Sequence, residues 1–407
     1  LARIDEGRHT RFVVRGIITA GTDEMTDGNG PRSEERAIDR WVYGFRGHCV
    51  AQGIRPNVFD GAFRDVGLNE EIVRRDRSQP EFVKPIRDYI ATVVSAERIG
   101  NGLAALRRHS DLLERIEARF GVEREVIVAI WGAESLYGKF RGEIPVIEAL
   151  MTLAYDGRRR EFFERQLLAA LRILQAGDTD PGNMIGSWAG AMGHTQFMPD
   201  TYIDHAQDFD GDGRRDIWGD DPADALASTA SYLAHHGWIT GQPWGMEITL
   251  PDGFDYSSMS RHAGKSTHEW RRLGVRSSNA LPLPDCGDAV VLLPAGHKGA
   301  AFIAFDNFHV LRRYNAADFY VIGVGHLADR LCGGPPIKGG WPNGDRALSA
   351  SETKDLQRLL LERGFDPNGV DGIAGPGTVT AVRAYQGSVG LVPDGYASFE
   401  VLEHMRG

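Results

Sequence analysis

Glu134 is the residue of this chain whose type and setting best suit chemistry. It stands in the run Ile127-Val-Ala-Ile-Trp-Gly-Ala-Glu-Ser-Leu-Tyr-Gly138, four residues after Ile130 and seven after Ile127. That spacing puts it on the helical face of the apolar stripe Val126, Ile127, Ile130 and Trp131. A carboxyl group held against aliphatic and indole surface is desolvated, which disfavours its charged form and raises its pKa. It can then keep a proton near neutral pH and deliver it to a leaving group as a general acid. On spacing alone, a helix end that turns Glu134 out to water is an equal reading, because buried acids are uncommon. Ser135, Tyr137 and Gly138 suit a helix that ends at a cleft.

Three further clusters carry chemical potential. Asp208-Phe-Asp-Gly-Asp-Gly-Arg-Arg-Asp-Ile-Trp218 has acids at loop positions one, three, five and nine and Gly213 at six, the first three-quarters of an EF-hand. Such a loop attracts a hard dication, but Gly219 occupies position twelve, where a bidentate Glu is usual. The alternative is an Asp-rich turn whose side chains bond their own backbone. Gly186-Ser-Trp-Ala-Gly-Ala-Met-Gly193, leading to Gln196 and Phe197, lets backbone approach a ligand closely or forms a tight helix–helix contact. It lacks the order of a phosphate-binding loop. Arg158, Arg159 and Arg160 read first as a solvated charge run.

Trp131-Gly-Ala-Glu-Ser-Leu-Tyr-Gly138, followed by Ser187-Trp-Ala-Gly-Ala-Met-Gly-His-Thr-Gln-Phe-Met-Pro199, resembles the lytic murein transglycosylase B family, over residues 36 to 330. The resemblance implies a lysozyme-like helical core that cleaves the MurNAc-β-1,4-GlcNAc bond of peptidoglycan without water and leaves 1,6-anhydromuramic ends. It implies that Glu134 is the catalytic acid and then base, assisted by the substrate's own N-acetyl group. Ser187 and Gln196 would orient the acetamido group and sugar, Tyr232 and Tyr320 would hold the ring and Glu134, and Met192 and Phe197 would supply apolar walls. Tyr89, Tyr314 and Asn315 would face the glycan, while Arg158 and Arg159 would meet carboxylates of the muramyl peptide. The family's longer acidic loop takes its last ligand from Asp224, giving a structural Ca²⁺ site of Asp208, Asp210, Asp212, the Arg214 carbonyl and Asp224. No cofactor is implied for catalysis. The implied partners are peptidoglycan strands, muropeptides and other cell-wall enzymes, in the periplasm.

Two rival functions stay open. A hydrolytic muramidase needs a second carboxylate about 5–9 Å away, for which Glu143 and Glu148 are the nearby candidates. A non-catalytic wall-binding scaffold would leave Glu134 dispensable.

The elements that must position these residues follow from periodicity. Residues 1–35 show no period and read as a poorly ordered lead-in. Trp41, Phe45 and Cys49 share a spacing of four, as do Phe82, Ile86 and Ile90, and Leu112, Ile116 and Phe120, with Gly121 as a stop. Helices are also expected at 148–155, along the stripe Phe162, Phe163, Leu167, Leu171 and Leu174, and at 222–236. From about 245 to 312, short apolar runs at Ile248–Leu250, Val290–Leu293, Ala301–Phe305 and Val310–Leu311 between turn residues predict a β-rich insert. Residues 331–345 read as a linker. Beyond it, Leu356, Leu359, Leu360, Phe365, Val379, Val382 and Tyr385 flank Gly369-Val-Asp-Gly-Ile-Ala-Gly-Pro-Gly-Thr378. With Gln386, this is similar to the three-helix peptidoglycan-binding module of wall enzymes, here 346–407. Such a module raises the local concentration of catalyst on an insoluble substrate.

Composition limits the alternatives. Of 407 residues, 42% are apolar and 25% charged, an ordinary globular balance, and the net charge of −10 argues against bulk attraction to nucleic acid or anionic membrane. No run is apolar and long enough to predict a membrane span. Cys49, Cys286 and Cys332 lack the spacing of a metal or redox motif.

Overall fold

The apolar spacings read from the sequence become helices in a computed structural model, which describes residues 12–13, 31–78, 85–256, 259, 264–279, 281–342, 346 and 348–407. The chain divides into two units, Leu1–Arg77 with Glu134–Thr229 and Ser78–Ala133 with Ala230–Gly407.

In the first unit, the helix Pro31–Ala51 buries Ile38, Val42, Phe45 and Cys49, and Trp41 stacks on Phe45 with ring centroids 5.1 Å apart. The expected lead-in is therefore corrected at both places where it is described. The helix begins at Pro31, whose fixed φ suits a first helical position, and Phe12–Val13 pairs antiparallel with Gly67–Leu68. The remainder of residues 1–30 lies outside the described residues.

The centre of this unit is the helix Val146–Asp156, in which every residue from Val146 to Ala154 is buried. A helix apolar nearly all round must be covered on every side. Arg160–Ala176, in which Phe163, Leu167, Ala170 and Leu171 are buried, packs against it and also on Pro199–His205 and Pro56–Ala62. Each large side chain so buried contributes roughly 1.5–3 kcal/mol. Exposed ion pairs such as Arg46–Asp60 contribute about 0–1 kcal/mol, so the packing of these helices, not the surface charges, holds the unit.

In the second unit, Asp318–Leu331 packs against Ile86–Val93 and Ala96–Arg108. Contact is close because residue 323 is glycine: a Cβ there would lie 2.8 Å from Tyr89 Cε1. Gly121 closes Ser110–Phe120 as expected; Phe82 lies outside the described residues. The β-rich insert is an antiparallel five-stranded sheet in the order Lys265–Ser266, Asp288–Leu292, Ala301–Ala304, Gly245–Thr249, Arg276–Ser277. Ile303 sits between Met246 and Val291 in register, over a core that includes Ile248, Trp270, Val275 and Phe305. One strand expectation is corrected: Val310 and Leu311 belong to the helix Asp306–Tyr314, where Phe308 and Leu311 share a buried face at helical spacing. Two adjacent apolar residues do not distinguish the two periods.

The last three helices, Ala350–Glu362, Pro376–Ser388 and Phe399–Arg406, enclose Leu356, Leu360, Val382, Tyr385, Val401, Leu402 and Met405. A pattern recurs in this module. Gln357 donates to Asp371 Oδ1 (2.9 Å) and accepts from Gly372 N (2.9 Å), while Gln386 donates to Asp394 Oδ1 (2.7 Å) and accepts from Gly395 N (2.8 Å). The other oxygen of Asp394 accepts from the His297 backbone N (2.9 Å) and pairs with its Nδ1 (2.6 Å), fastening the module to the β-rich insert.

Candidate active site

Glu134 stands in the last turn of the helix Arg124–Ser135. Val126, Ile127, Ile130 and Trp131 are buried as the spacing predicts, and Glu134 is half-buried, between the two readings that spacing left open. The reason is the helix end one residue later. Leu136 and Tyr137 follow at φ 51° and 61°, the left-handed region that side chains disfavour. Such conformations cost about 1–3 kcal/mol each and persist where surroundings impose them. Here Ser135, which is buried, supplies much of the constraint: its hydroxyl donates to His194 O (2.5 Å) and accepts from Gly138 N (2.9 Å), while its carbonyl accepts from Phe140 N (2.9 Å).

The same segment then meets the Gly-rich stretch. Ile144–Pro145 pairs with Ile185–Gly186, and the backbones come so close that a Cβ on Gly142 would lie 2.0 Å from the Gly186 carbonyl. The stretch is thus a folded loop, not a helix–helix contact, closed by isolated pairings of Met192 with Gly186 and Phe197. Ser187 Oγ accepts from Ala189 N (3.3 Å) and Ala191 N (3.1 Å), so the hydroxyl proton is what it can offer outward. Gln196, at φ 56°, donates through Nε2 to Arg141 O (3.1 Å) and Gly193 O (2.9 Å), leaving its Oε1 as the presented group. Met192 and Phe197 are 0% and 2% exposed. They support the loop from within the protein.

Behind this loop, Arg141 and His194 form a polar hub. Arg141 donates to Trp218 O (2.8 Å), Gly219 O and Asp220 Oδ1 (3.1 Å), and His194 Nε2 lies 2.8 Å from Gly219 O and 3.2 Å from Arg141 Nη1. Burial, against the opposing bond to Gly219 O and with the help of the Arg141 charge, holds the imidazole below its ordinary pKa.

The acidic loop gathers Asp208, Asp210 and Asp212, with one oxygen of each within 4.8 Å of the others. These carboxylates also bond their own loop: Asp208 accepts from Gly211 N and Gly213 N, Asp210 from Asp212 N, and Asp212 from Arg214 N. Asp224 is outside that group of three. It is buried, and its two oxygens accept from Phe209 N (2.7 Å) and Asp216 N (2.8 Å), tying the two ends of the loop together. Three converging exposed carboxylates repel one another, and oxygen donors of this kind fit a hard dication such as Ca²⁺. Asp208, Asp210 and Asp212 would hold it, with Asp224 shaping the loop.

Arg158 and Arg159 both bind Asp76, at 3.3 Å and 2.9 Å, and Arg159 also lies 4.8 Å from the centroid of the Phe163 ring. Two guanidinium charges face one buried carboxylate, so one positive charge is left over. Glu143 is exposed, and Glu148 is buried with Asn69 Nδ2 donating to it at 2.8 Å. In the second unit, Tyr232 donates to Arg313 O (2.6 Å) and meets Tyr314 edge-on, with centroids 5.2 Å apart. Tyr314 in turn stacks on Tyr320, and Asn315, exposed, caps the helix Asp306–Tyr314. Tyr89 packs on Gly323.

Asp76, Asn69, Arg141 and His194 were not singled out by sequence reasoning. Asp76 lies in Arg74-Arg75-Asp76-Arg77, which looks like a solvated charge run, and its partners are over eighty residues away. His194 does lie inside a quoted motif, and that position was its only signal.

Known proteins of one family resemble this chain in sequence and fold. Residues 37–329 match the family described as Transglycosylase SLT domain, and residues 349–405 match a peptidoglycan binding domain family. The membrane-bound lytic murein transglycosylase B of Escherichia coli is 33% identical over 250 residues, which are 60% of this chain and 66% of that protein. SltB3 of Pseudomonas aeruginosa, solved with NAG-anhNAM-pentapeptide, is 48% identical, covers 91% of this chain and 99% of its own, and superposes with a TM-score of 0.89. Slt35 of Escherichia coli, solved with calcium, is 28% identical over 72% of this chain and 92% of its own, with a TM-score of 0.61. A mainly helical, lysozyme-like fold is thus shared with these enzymes, and the chain belongs to the SLT family of lytic transglycosylases.

Proposed function

We propose that Glu134 catalyses non-hydrolytic cleavage of the MurNAc-β-1,4-GlcNAc bond of peptidoglycan. The observation that carries this reading is the strained exit of its helix, bonded through Ser135 to the loop of Ser187 and Gln196. Protonated Glu134 gives its proton to the glycosidic oxygen as the bond to muramic C1 breaks, and the substrate's acetamido oxygen stabilises the charge at C1. Ionised Glu134 then removes the proton of the muramic C6 hydroxyl, and O6 bonds to C1 to close the 1,6-anhydro ring. No water enters, and Glu134 ends protonated as it began. The anhydromuramyl ligand in the SltB3 relative supports this outcome.

Ser187 donates to the acetamido carbonyl and Gln196 accepts from a sugar hydroxyl. Tyr89, Tyr232, Tyr314, Asn315 and Tyr320 contact glycan by family resemblance, and the residual charge of Arg158 and Arg159 draws a stem carboxylate. The hydrolytic alternative is disfavoured because Glu143 is exposed and Glu148 is buried in a bond with Asn69. Ca²⁺ acts as a structural ion at Asp208, Asp210 and Asp212. We assign 36–330 to the catalytic domain, 331–345 to a linker and 346–407 to the wall-binding module, in a periplasmic enzyme working among other wall enzymes.

The test is digestion of purified sacculi by the wild type and Glu134→Gln, read by mass spectrometry. The wild type should release muropeptides one water lighter than muramidase products. The variant should bind sacculi while losing about two or more decades of rate. Reducing-end muramic acid would make the enzyme a hydrolase, and an active Glu134→Gln would remove Glu134 from the mechanism.

A further inference from the structure

We infer that Arg141 is a positioning residue for glycan cleavage, acting as the clamp that sets the loop carrying Gln196 against the segment leaving Glu134. The inference rests on the reading of Glu134 given above. Three pieces of chain meet at this one residue. Its own segment, Leu136–Arg141, is the exit from the Glu134 helix and contains both left-handed residues. Its guanidinium grips Trp218 O, Gly219 O and Asp220 Oδ1, at the end of the acidic loop. Its backbone carbonyl accepts from Gln196 Nε2.

His194 completes the clamp. Its carbonyl receives the Ser135 hydroxyl, its backbone N donates to Ile217 O (3.0 Å), and its ring edge abuts both Arg141 and Gly219 O. The residues that flank Glu134 and those that hold Gln196 therefore share one anchor, and that anchor is fixed by Arg141.

The chemistry requires a guanidinium here. Two successive carbonyl oxygens and a carboxylate converge on one half-buried cation. A planar fork reaches several such acceptors at once, whereas an ammonium on a flexible stem acts as a single point charge. Lysine would keep the charge and release part of the geometry. Displacements of about 1 Å at catalytic groups cost on the order of a hundredfold in rate, so a loosened clamp should be read in turnover before it is read in stability.

The experiment uses the full chain and a soluble tetrasaccharide muropeptide. Arg141→Lys should keep KM within about twofold and its melting temperature near that of the wild type, while kcat falls by about ten- to a hundredfold. Arg141→Ala should lose more turnover and regain part of it in tens of millimolar guanidinium, but not in equal ethylammonium. Wild-type kcat in Arg141→Lys would overturn the inference. So would a loss of kcat that only tracks the folded fraction, or an Arg141→Ala variant that neither cation or both cations restore equally. Glu134→Gln assayed alongside separates the two claims: its activity decides the acid, and the kcat, KM and rescue pattern at position 141 decides the clamp.

Discussion

Adding one methyl group at Gly142 tests the close approach of the Glu134 exit to the Gly-rich loop. Gly142 is at φ 97°, and a Cβ there would lie 2.0 Å from the Gly186 carbonyl carbon and oxygen, backbone atoms that cannot swing away. Gly177 offers a matched control: it ends the Arg160–Ala176 helix at φ 89°, and a Cβ there meets nothing within 4 Å. Alanine at Gly177 should therefore cost only the left-handed strain, about 1–2 kcal/mol. Alanine at Gly142 carries the same strain plus a forced separation of two paired backbones, and a total of about 4 kcal/mol or more is expected, in the range of severe overpacking and strain. Gly100, exposed within the Ala96–Arg108 helix with open space at its Cβ, should gain about 0.5–1 kcal/mol on the same change. Thermal melts of the three variants, with muropeptide release per folded molecule, give the comparison. Equal losses at positions 142 and 177 would refute the backbone apposition. So would a Gly142→Ala enzyme with full activity.

Removal of divalent ions by chelation should lower the melting temperature, and added Ca²⁺ should restore it, stabilising the fold by about 2.7 kcal/mol when the ion is at a hundred times its Kd. Asp210→Asn keeps the oxygen that accepts from Asp212 N and removes a charge; a Ca²⁺ response of undiminished affinity in that variant would count against the site. Two groups on the helix Asp318–Leu331 give opposed pH slopes. Burial pushes Asp329 up to about 7, against the opposing bond from Trp244 Nε1, and burial with the Arg330 charge pushes His326 down to about 4. The folded Asp329 holds a proton that the unfolded chain releases above about pH 4, so its contribution falls as pH rises to 7. Folded His326 refuses a proton that the unfolded chain takes up below about 6.5, so its contribution rises from pH 4 to 6.5. Asp329→Asn should therefore unmask stability that climbs between pH 4 and 6.5 and should remove a decline between 6.5 and 7. A variant whose melting curve follows the wild type across that range would show that the carboxyl is not the cause.

Much of the catalytic region was legible because its signals are local. The stripe ending at Trp131, the stop at Gly121 and the helices of the C-terminal module follow from spacing within a dozen residues, and the Glu134 and Ser187 motifs are contiguous. Legibility failed where a residue's fate depends on distant partners. Glu134 is half-buried because the helix stops at Ser135, and that stop is held by His194, fifty-nine residues on. Met192 and Phe197 are interior because their backbones pair with each other, which no side-chain pattern reveals. The two-residue strands Lys265–Ser266 and Arg276–Ser277 carry no apolar alternation, and they exist because longer strands beside them offer unpaired edges.

The division of the chain carries a consequence for how the enzyme is made. The first unit is interrupted after Arg77 and resumes at Glu134, and its internal contacts span the gap: Asn69 to Glu148, and Asp76 to Arg158 and Arg159. A ribosome emits the N-terminal segment long before its partners, so this unit cannot complete itself in order of synthesis, and closing so long a loop slows its assembly. The amphipathic helix Pro31–Ala51 emerges with an apolar face that must wait. Nascent chains released before Thr229 should accordingly be the aggregation-prone species, and Glu134 enters its final setting only when translation has passed the acidic loop.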